Sequence, residues 1–331
     1  MSEMRVLSDA DVEELLDLDG LLDVVETAFI EQYRGNVERP DRPHFPVGTG
    51  LDPESPDDPL GTGLVMPAYV HGANQYATKL VGVFEGNPQR GLPTVNAAIA
   101  LTDASTGVPA AYVAGTRLTN ARTGCIGGLA ARELAVDPEA VTLGVIGAGT
   151  QARWQTRAIA AATEVESVQI YSPSDSRYTC ADELEGELGT PAEAVDSPRD
   201  AVEGVDVLVT ATTATEPVFP GDALESGITV IAVGAYTADT RELDGETIDR
   251  AARVIGDVPG EAIDTGDLRD TGLDADDLLA LGAVLDGSAG REGSEEVVVT
   301  KSVGTAVLDA AAAEHLYDVA EERAIGTTVS L

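Results

Sequence analysis

The stretch VTLGVIGAGTQARWQTRA, residues 141–158, constrains the fold more than any other. An apolar run leads into Gly147-Ala148-Gly149-Thr150-Gln151-Ala152, and a segment free of Gly and Pro follows. This is G-x-G-x-x-A in the setting that gives the pattern meaning, a buried strand before it and a helix after it. Gly147 permits the tight turn, Gly149 lets the backbone approach a pyrophosphate, and Ala152 keeps helix and strand close. Thr150 and Gln151 then open the helix, where free N–H groups and the dipole favour an anion. A bare glycine-rich turn is the bland alternative, and the further strands described next weigh against it.

Strand candidates SVQIYS, VDVLVTAT, ITVIAVGA and ARVIGD follow, separated by helical or polar connections. Strand and helix in alternation imply a parallel α/β sheet. TATTATEPVF and AVGAY lie at the carboxyl ends of two of these strands. The nicotinamide half of a dinucleotide is expected there, which nominates Ala211, Thr212, Thr213, Val233, Gly234 and Ala235. An NAD enzyme usually carries an acid at the end of the second strand to bind the ribose hydroxyls. Here Ser172 holds that position, with Ser174 and Arg177 just beyond. Two hydroxyls and a guanidinium suit a 2′-phosphate, so NADP is favoured; Asp175, after a small register shift, keeps NAD open.

Upstream the pattern differs. SDADVEELLDLDGLLDVVETAFIEQYRGN reads as one or two amphipathic helices, with Ser8 as N-cap and Gly35 as the stop. Residues 40–63 are rich in Pro, Gly and Asp and are expected to be mostly loop. GLVMPAYV, QYATKLVGVF, VNAAIALTDA and PAAYVAG then read as an antiparallel sheet. LTNARTGCIGGLAARELA reads as a helix with small residues on one face. After residue 295 come a last strand and one long helix, expected to pack back on the N-terminal part.

Charge narrows the setting. The chain has 58 acidic against 20 basic residues, a formal charge of −38 and a pI near 4.1. Such a charge destabilises a compact state by self-repulsion. At about 1 M salt the screening length is only about 3 Å. The composition therefore reads as adaptation to a salty cytoplasm, in a halophile. A nucleic-acid partner is disfavoured, because a polyanion would be repelled. Cys125 and Cys180 form no C-x-x-C pair and no Cys/His cluster, which argues for a reducing compartment and against a zinc site. Both are expected to fill space in helices, as is Trp154. The acidic N-terminus is unlike a signal peptide, and no apolar run reaches membrane-spanning length. A cytoplasmic location with no membrane partner is expected.

The chain has only two lysines, one of them Lys79 in the apolar strand YATKLVGVF. Arginine binds planar carboxylates but does not release its proton, whereas a desolvated lysine titrates near neutrality. A chemical role would explain a lysine there. Arg42 in PDRPHF and Arg122 in LTNARTGC are the other basic candidates, although Arg42 also suits a plain surface charge and Arg122 a simple ion pair. His44 lies near Arg42; His71 and His315 read as surface or packing residues.

MPAY, TKLVGVFEGNPQRGLPT, LTDASTGVPAAYVAGTRLTNARTGC, VIGAGTQA, VGAYTADTRELD and VTKSVGTAVLDAAAA together resemble the ornithine cyclodeaminase/mu-crystallin family, over roughly residues 38–325. That family includes ornithine cyclodeaminases, archaeal alanine dehydrogenases and ketimine reductases. The resemblance implies an α/β fold in which a Rossmann-type parallel-sheet domain, residues 123–299, is inserted into an α+β substrate-binding and dimerisation domain, residues 1–122 and 300–331. It implies a homodimer. It places Arg42, Lys79 and Arg122 around a substrate carboxylate, and adds Arg122, Thr123 and Ser302 to the cofactor contacts. The shared chemistry is hydride exchange between NAD(P) and the α-carbon of an amino acid or its imine, so amino acids, 2-oxo acids and cyclic imines are the implied ligands. A lysine held between two arginines would have a lowered pKa and could pass protons at neutral pH.

Two positions depart from the family pattern. Cyclodeaminases and the archaeal alanine dehydrogenases place an Asp where this chain has Tyr236, and Asp239, three residues on, is nominated beside Lys79 as a catalytic group. Cyclodeaminases also carry an acid before the Met-Pro pair, where Leu64 and Val65 stand here. A distal ammonium would meet no counter-charge. The expected activity is therefore that of an NAD(P)-dependent oxidoreductase acting on a C–N bond, of alanine dehydrogenase or ketimine reductase type. Ornithine cyclodeaminase and a non-catalytic NADPH-binding protein of crystallin type are the alternatives.

Overall fold

The computed structural model describes residues 3–331. In chain order it forms β1 (Glu3–Leu7), α1 (Asp9–Leu15), α2 (Leu18–Tyr33), β2 (Val37–Glu38) and β3 (His44–Val47). Four longer strands follow, β4 (Gly61–Val70), β5 (Gln75–Val83), β6 (Val95–Asp103) and β7 (Pro109–Ala114), then α3 (Gly115–Leu134). Next come β8 (Val141–Ile146), α4 (Thr150–Ala162), β9 (Val165–Tyr171), α5 (Ser176–Leu188), β10 (Ala192–Ala194), β11 (Val207–Thr210) and β12 (Thr229–Ala232). The chain closes with α6 (Gly245–Arg250), β13 (Ala251–Gly256), α7 (Pro259–Ala262), β14 (Leu279–Ala280), α8 (Leu281–Leu285), β15 (Val297–Lys301), α9 (Ala306–Arg323) and β16 (Thr327–Ser330).

Two compact units result. The first comprises residues 3–17, Arg34–Arg122 and Ala306–Leu331. Its sheet runs β16-β1-β7-β6-β5-β4, with β2 and β3 also on β4. Neighbouring strands from β4 to β7 are antiparallel, and β1 joins β7 in parallel. Strand alternation assigns the two faces. Met66, Ala68, Ala77, Lys79, Ile99, Leu101, Ala111 and Val113 are buried on one. α9 lies against β4, β5 and β6, burying Val307, Leu308, Ala312, Ala313 and Leu316. On the opposite face the register lines up Val65, Leu80, Ala98 and Ala114, and beside them Pro67, Thr78, Ala100 and Tyr112. Neither row contains an acid or a base. α1 begins in a capping box: Asp11 N–H donates to the Ser8 hydroxyl at 3.2 Å, and Ser8 N–H to the Asp11 carboxylate at 2.8 Å.

The second unit comprises Leu18–Tyr33 and Thr123–Thr305. Its eight strands are all parallel, in the order β10-β9-β8-β11-β12-β15-β13-β14. β8, β11, β12 and β15 are almost wholly buried, as strands covered on both faces must be. The small face of α3 meets α4. A Cβ added at Gly124 would lie 2.5 Å from the Trp154 carbonyl oxygen, and one at Gly128 2.6 Å from that of Ala158. Cys125 and Cys180 are buried without exposure.

The division differs from the expected boundaries at two places. α2 groups with the second unit, packing on α4 and α8 through a buried stripe of Leu21, Leu22, Val25, Ala28 and Phe29. The insertion runs to Thr305 rather than to 299, because β15 fills a central position in the parallel sheet. Residues 44–47, expected as loop, pair with β4.

Candidate active site

In the first unit the chemistry gathers at the buried face of β5. Lys79 is 2% exposed and its Nζ donates to Asp309 Oδ2 at 2.5 Å. Arg122 reaches the same carboxylate from α3, with Nε 2.9 Å from Oδ1 and Nη2 3.3 Å from Oδ2. Asp309 comes from the first turn of α9 and is 1% exposed. Burial pushes its carboxyl up, but Arg122 and Lys79 outweigh that and hold it below the usual range. For Lys79 burial is the largest influence and lowers the pKa; Asp309 raises it, Arg122 and Arg42 lower it, and the outcome is about 8. Arg42 is half-buried and close enough to bear on Lys79. With Lys79 protonated, Lys79 and Arg122 share the one carboxylate of Asp309.

Asp309 was not among the nominated residues. The available signal was an acid inside VGTAVLDAAAA, an otherwise apolar stretch, mirroring the lysine inside an apolar strand. Asp239, nominated instead, is exposed in the turn of residues 236–240, which the Thr237 and Thr240 hydroxyls close at 3.0 Å. Tyr236 is 46% exposed. His44 is exposed on β3, and His71 pairs with Glu38 on the surface.

In the second unit a cleft of about 610 Å³ lies over the glycine turn and the ends of β9 and β11. Gly147 has φ +118°, and a Cβ there would sit 2.5 Å from the Ala211 carbonyl oxygen. Gly149 is the N-cap of α4 and faces open space, while Ala152 is buried against the sheet. The turn therefore leaves room for an anion at the head of α4, beside Thr150 and Gln151, and the residues fit a dinucleotide pyrophosphate. At the end of β9 the hydroxyls of Ser172, Ser174 and Ser176 form a chain, at 3.3 and 2.6 Å. Arg177 is fixed beside them, donating to the carbonyls of Ser172 and Ser174 and stacking on Tyr178.

The other nominated positions divide. Ala211, Thr212, Val233, Gly234 and Ala235 form two touching turns; Gly234 has no room for a Cβ against the Thr212 backbone, and Thr213, though exposed, lines the cleft beside Ala211 and Thr212. The Thr123 carbonyl accepts from Gln155 at 2.8 Å. Ser302 is buried and its hydroxyl donates to Asp257, just after β13, at 2.7 Å, so that hydroxyl proton is engaged by the protein. The second lysine, Lys301, is also fully buried, 2.7 Å from Asp267.

A parallel sheet with a glycine turn and a cleft that fits a dinucleotide, in a chain that also buries a lysine between an aspartate and an arginine, fits a nicotinamide-dependent oxidoreductase. Residues 2–324 match the ornithine cyclodeaminase/mu-crystallin family, and the chain belongs to it. It is 36% identical over 274 residues to a Δ1-pyrroline-2-carboxylate reductase of Bacillus cereus, covering 80% of this chain and 84% of that protein. The structure of Thermococcus litoralis Δ1-pyrroline-2-carboxylate reductase with NADH and L-proline superposes with a TM-score of 0.91 at 34% identity, over 98% of this chain and all of that one. An archaeal alanine dehydrogenase dimer with bound NAD gives 0.89 at 29% identity, over the full length of both. The protein is thus an NAD(P)-dependent oxidoreductase of the imine and amino-acid class, as the sequence motifs imply.

Proposed function

We propose that the protein reduces a cyclic imine carboxylate of the Δ1-pyrroline-2-carboxylate class to the corresponding imino acid, and catalyses the reverse oxidation. The observation that carries this reading is the buried Lys79, poised near pH 8 between Asp309 and Arg122. Leu64 and Val65 support it, because they offer no counter-charge to the distal ammonium of ornithine.

Arg42 and Arg122 bind the substrate carboxylate. Arg122 meets Asp309 through Nε and Nη2, so its Nη1 edge is not engaged by that acid. The Lys79 ammonium supplies the proton that makes the imine nitrogen cationic, and Asp309 keeps that ammonium populated despite burial. The glycine turn of Gly147 and Gly149 and the turns at Thr212 and Gly234 would hold a nicotinamide dinucleotide, which would supply hydride chemistry when bound. In the reverse direction neutral Lys79 accepts the proton. Asp239 and Tyr236 are left outside this scheme.

The serine chain and Arg177 at the end of β9 favour NADP over NAD. The uncharged rows on the outer face of the first sheet support a homodimer through that face, in a chain whose charge elsewhere would oppose association. The acidic composition supports a salt-dependent protein of a reducing cytoplasm.

Absorbance at 340 nm with NADPH or NADH and 1-pyrroline-2-carboxylate, in molar KCl, tests the reaction. Imine-dependent oxidation of the cofactor is expected. Proline and ammonia formed from ornithine with no net change in NAD(P)H would overturn it in favour of cyclodeamination. A faster reaction of pyruvate plus ammonia than of the cyclic imine would move the substrate class to open-chain amino acids.

A further inference from the structure

Glu242 follows Arg241 in RELD and has no exposure to solvent. Its Oε1 accepts the Thr212 N–H at 2.7 Å and the Thr212 hydroxyl at 2.9 Å. Its Oε2 accepts the Gly234 N–H at 2.7 Å and the Ala235 N–H at 3.2 Å. The carboxylate therefore ties the turn after β11 to the turn after β12, neighbouring strands of the parallel sheet. The glutamate is itself anchored from behind. Its own N–H and that of Leu243 donate to Asp267 Oδ1 at 2.6 and 2.8 Å, and Asp267 Oδ2 pairs with Lys301 Nζ at 2.7 Å, neither of these side chains being exposed. Lys301 lies on β15, the strand next to β12, so a single acidic–basic chain spans three adjacent strand ends.

Burying a carboxylate is costly unless donors surround it, and bonds to an ionised acceptor are roughly twice as strong as neutral ones. A neutral side chain would satisfy fewer of these donors, since an amide offers one acceptor oxygen where the carboxylate offers two. We propose that Glu242 is a positioning residue for the nicotinamide end of the cofactor: it holds the Thr212 and Gly234–Ala235 turns as one rigid shelf, while the glycine turn at Gly147–Gly149, which packs on Ala211 and receives no bond from Glu242, holds the phosphates. The proposal rests on the dinucleotide reading of the cleft.

The test compares ligands that carry a nicotinamide with ligands that lack it. Glu242→Gln is expected to weaken binding of NADPH and NADH about ten-fold or more by calorimetry, while ADP-ribose and its 2′-phosphate bind within about two-fold of the parent protein. In the cofactor-free variant the amides of Thr212, Gly234 and Ala235 should exchange hydrogen faster, with the β11 and β12 amides still protected. Thr212→Ala removes one of the four donors, and is expected to give a smaller loss of the same selective kind if Glu242→Gln does not fold. Equal loss for both ligand classes, or unchanged NADPH and NADH affinity, overturns the positioning role. Failure of the unaltered protein to bind either class overturns the dinucleotide reading instead, and this inference with it.

Discussion

Asp309 stands 230 residues beyond Lys79 in the chain, yet its Oδ2 receives the Lys79 ammonium at 2.5 Å with both side chains shut away from solvent. The pair holds its partners in opposite senses. Asp309 favours the charged lysine, while burial and two arginines favour the neutral one. In the proposed reaction, that balance near pH 8 would let one residue both give and take a proton.

Replacing Lys79 by Ala should lower kcat by about 10²–10⁴-fold, the usual contribution of a positioned acid or base. NADPH affinity should be unchanged, because Lys79 lies outside the residues assigned to the cofactor. Lys79→Arg should be as inactive as the alanine variant, since a guanidinium keeps its proton. Steady-state rates and a cofactor titration of the same preparations check both statements.

The direction of reaction should set the direction of the pH profile. Imine reduction needs the ammonium and should fall as pH rises through about 8; oxidation of the imino acid should rise over the same range. Asp309→Asn removes the group that raises the lysine pKa, so both limbs should move to lower pH. A variant with lower activity but limbs still at pH 8 would show that Asp309 does not tune Lys79.

Stability should respond to the same titration. The folded lysine releases its proton near 8 and an unfolded one near 10.5. Between those values the unfolded chain binds more protons, so the cost of burying Lys79 is full below pH 8 and is relieved as pH rises. Denaturant midpoints of the parent and the Lys79→Met variant should therefore converge above pH 8, apart from changes common to both.

The two glycines of the cofactor turn should separate folding from binding. Gly149 faces open space at an ordinary φ of −91°, so Gly149→Ala should keep the parent melting temperature and lose cofactor affinity. Gly147 is at φ +118° against the Ala211 carbonyl, so Gly147→Ala should melt earlier even without cofactor. Thermal melts with and without NADPH distinguish the two.

Leu80→Glu places a charge in the uncharged outer rows of the first sheet, and Leu80 is 46% exposed there. Light scattering in molar KCl should show dimers for the parent and monomers for the variant. In dilute buffer the parent itself should melt at a lower temperature, because screening of the −38 charge is lost. Full stability without salt would remove the halophilic reading.

The second unit was the more legible in sequence, because each part of its cleft is local. Gly147, Gly149 and Ala152 sit within six residues, and their roles follow from one turn between a strand and a helix. The four strands that flank it announced themselves as short apolar runs. Short edge pieces such as β10 and β14 gave no such pattern. In the first unit Lys79 stood out by composition and position, but its partner did not. Locally Asp309 is marked only as an acid in an alanine-rich helix, and it acquires its meaning when α9 closes over β5. Glu242 was hidden for a different reason: its carboxylate accepts backbone N–H groups, and backbone donors leave no trace in a sequence. β1 and β16 pair the two ends of the chain, a contact no window of residues contains.

With one lysine buried in each unit and none elsewhere, the folded surface presents no side-chain primary amine at all. Acylating reagents too large to enter the substrate site would leave both side chains untouched while the protein stays closed. Each would become modifiable only when its own unit opens, so tryptic-independent mass mapping of the label at 79 and at 301 would time the opening of the two units separately within one chain. The scarcity of lysine thus supplies a built-in pair of unfolding clocks, with no engineered probe required.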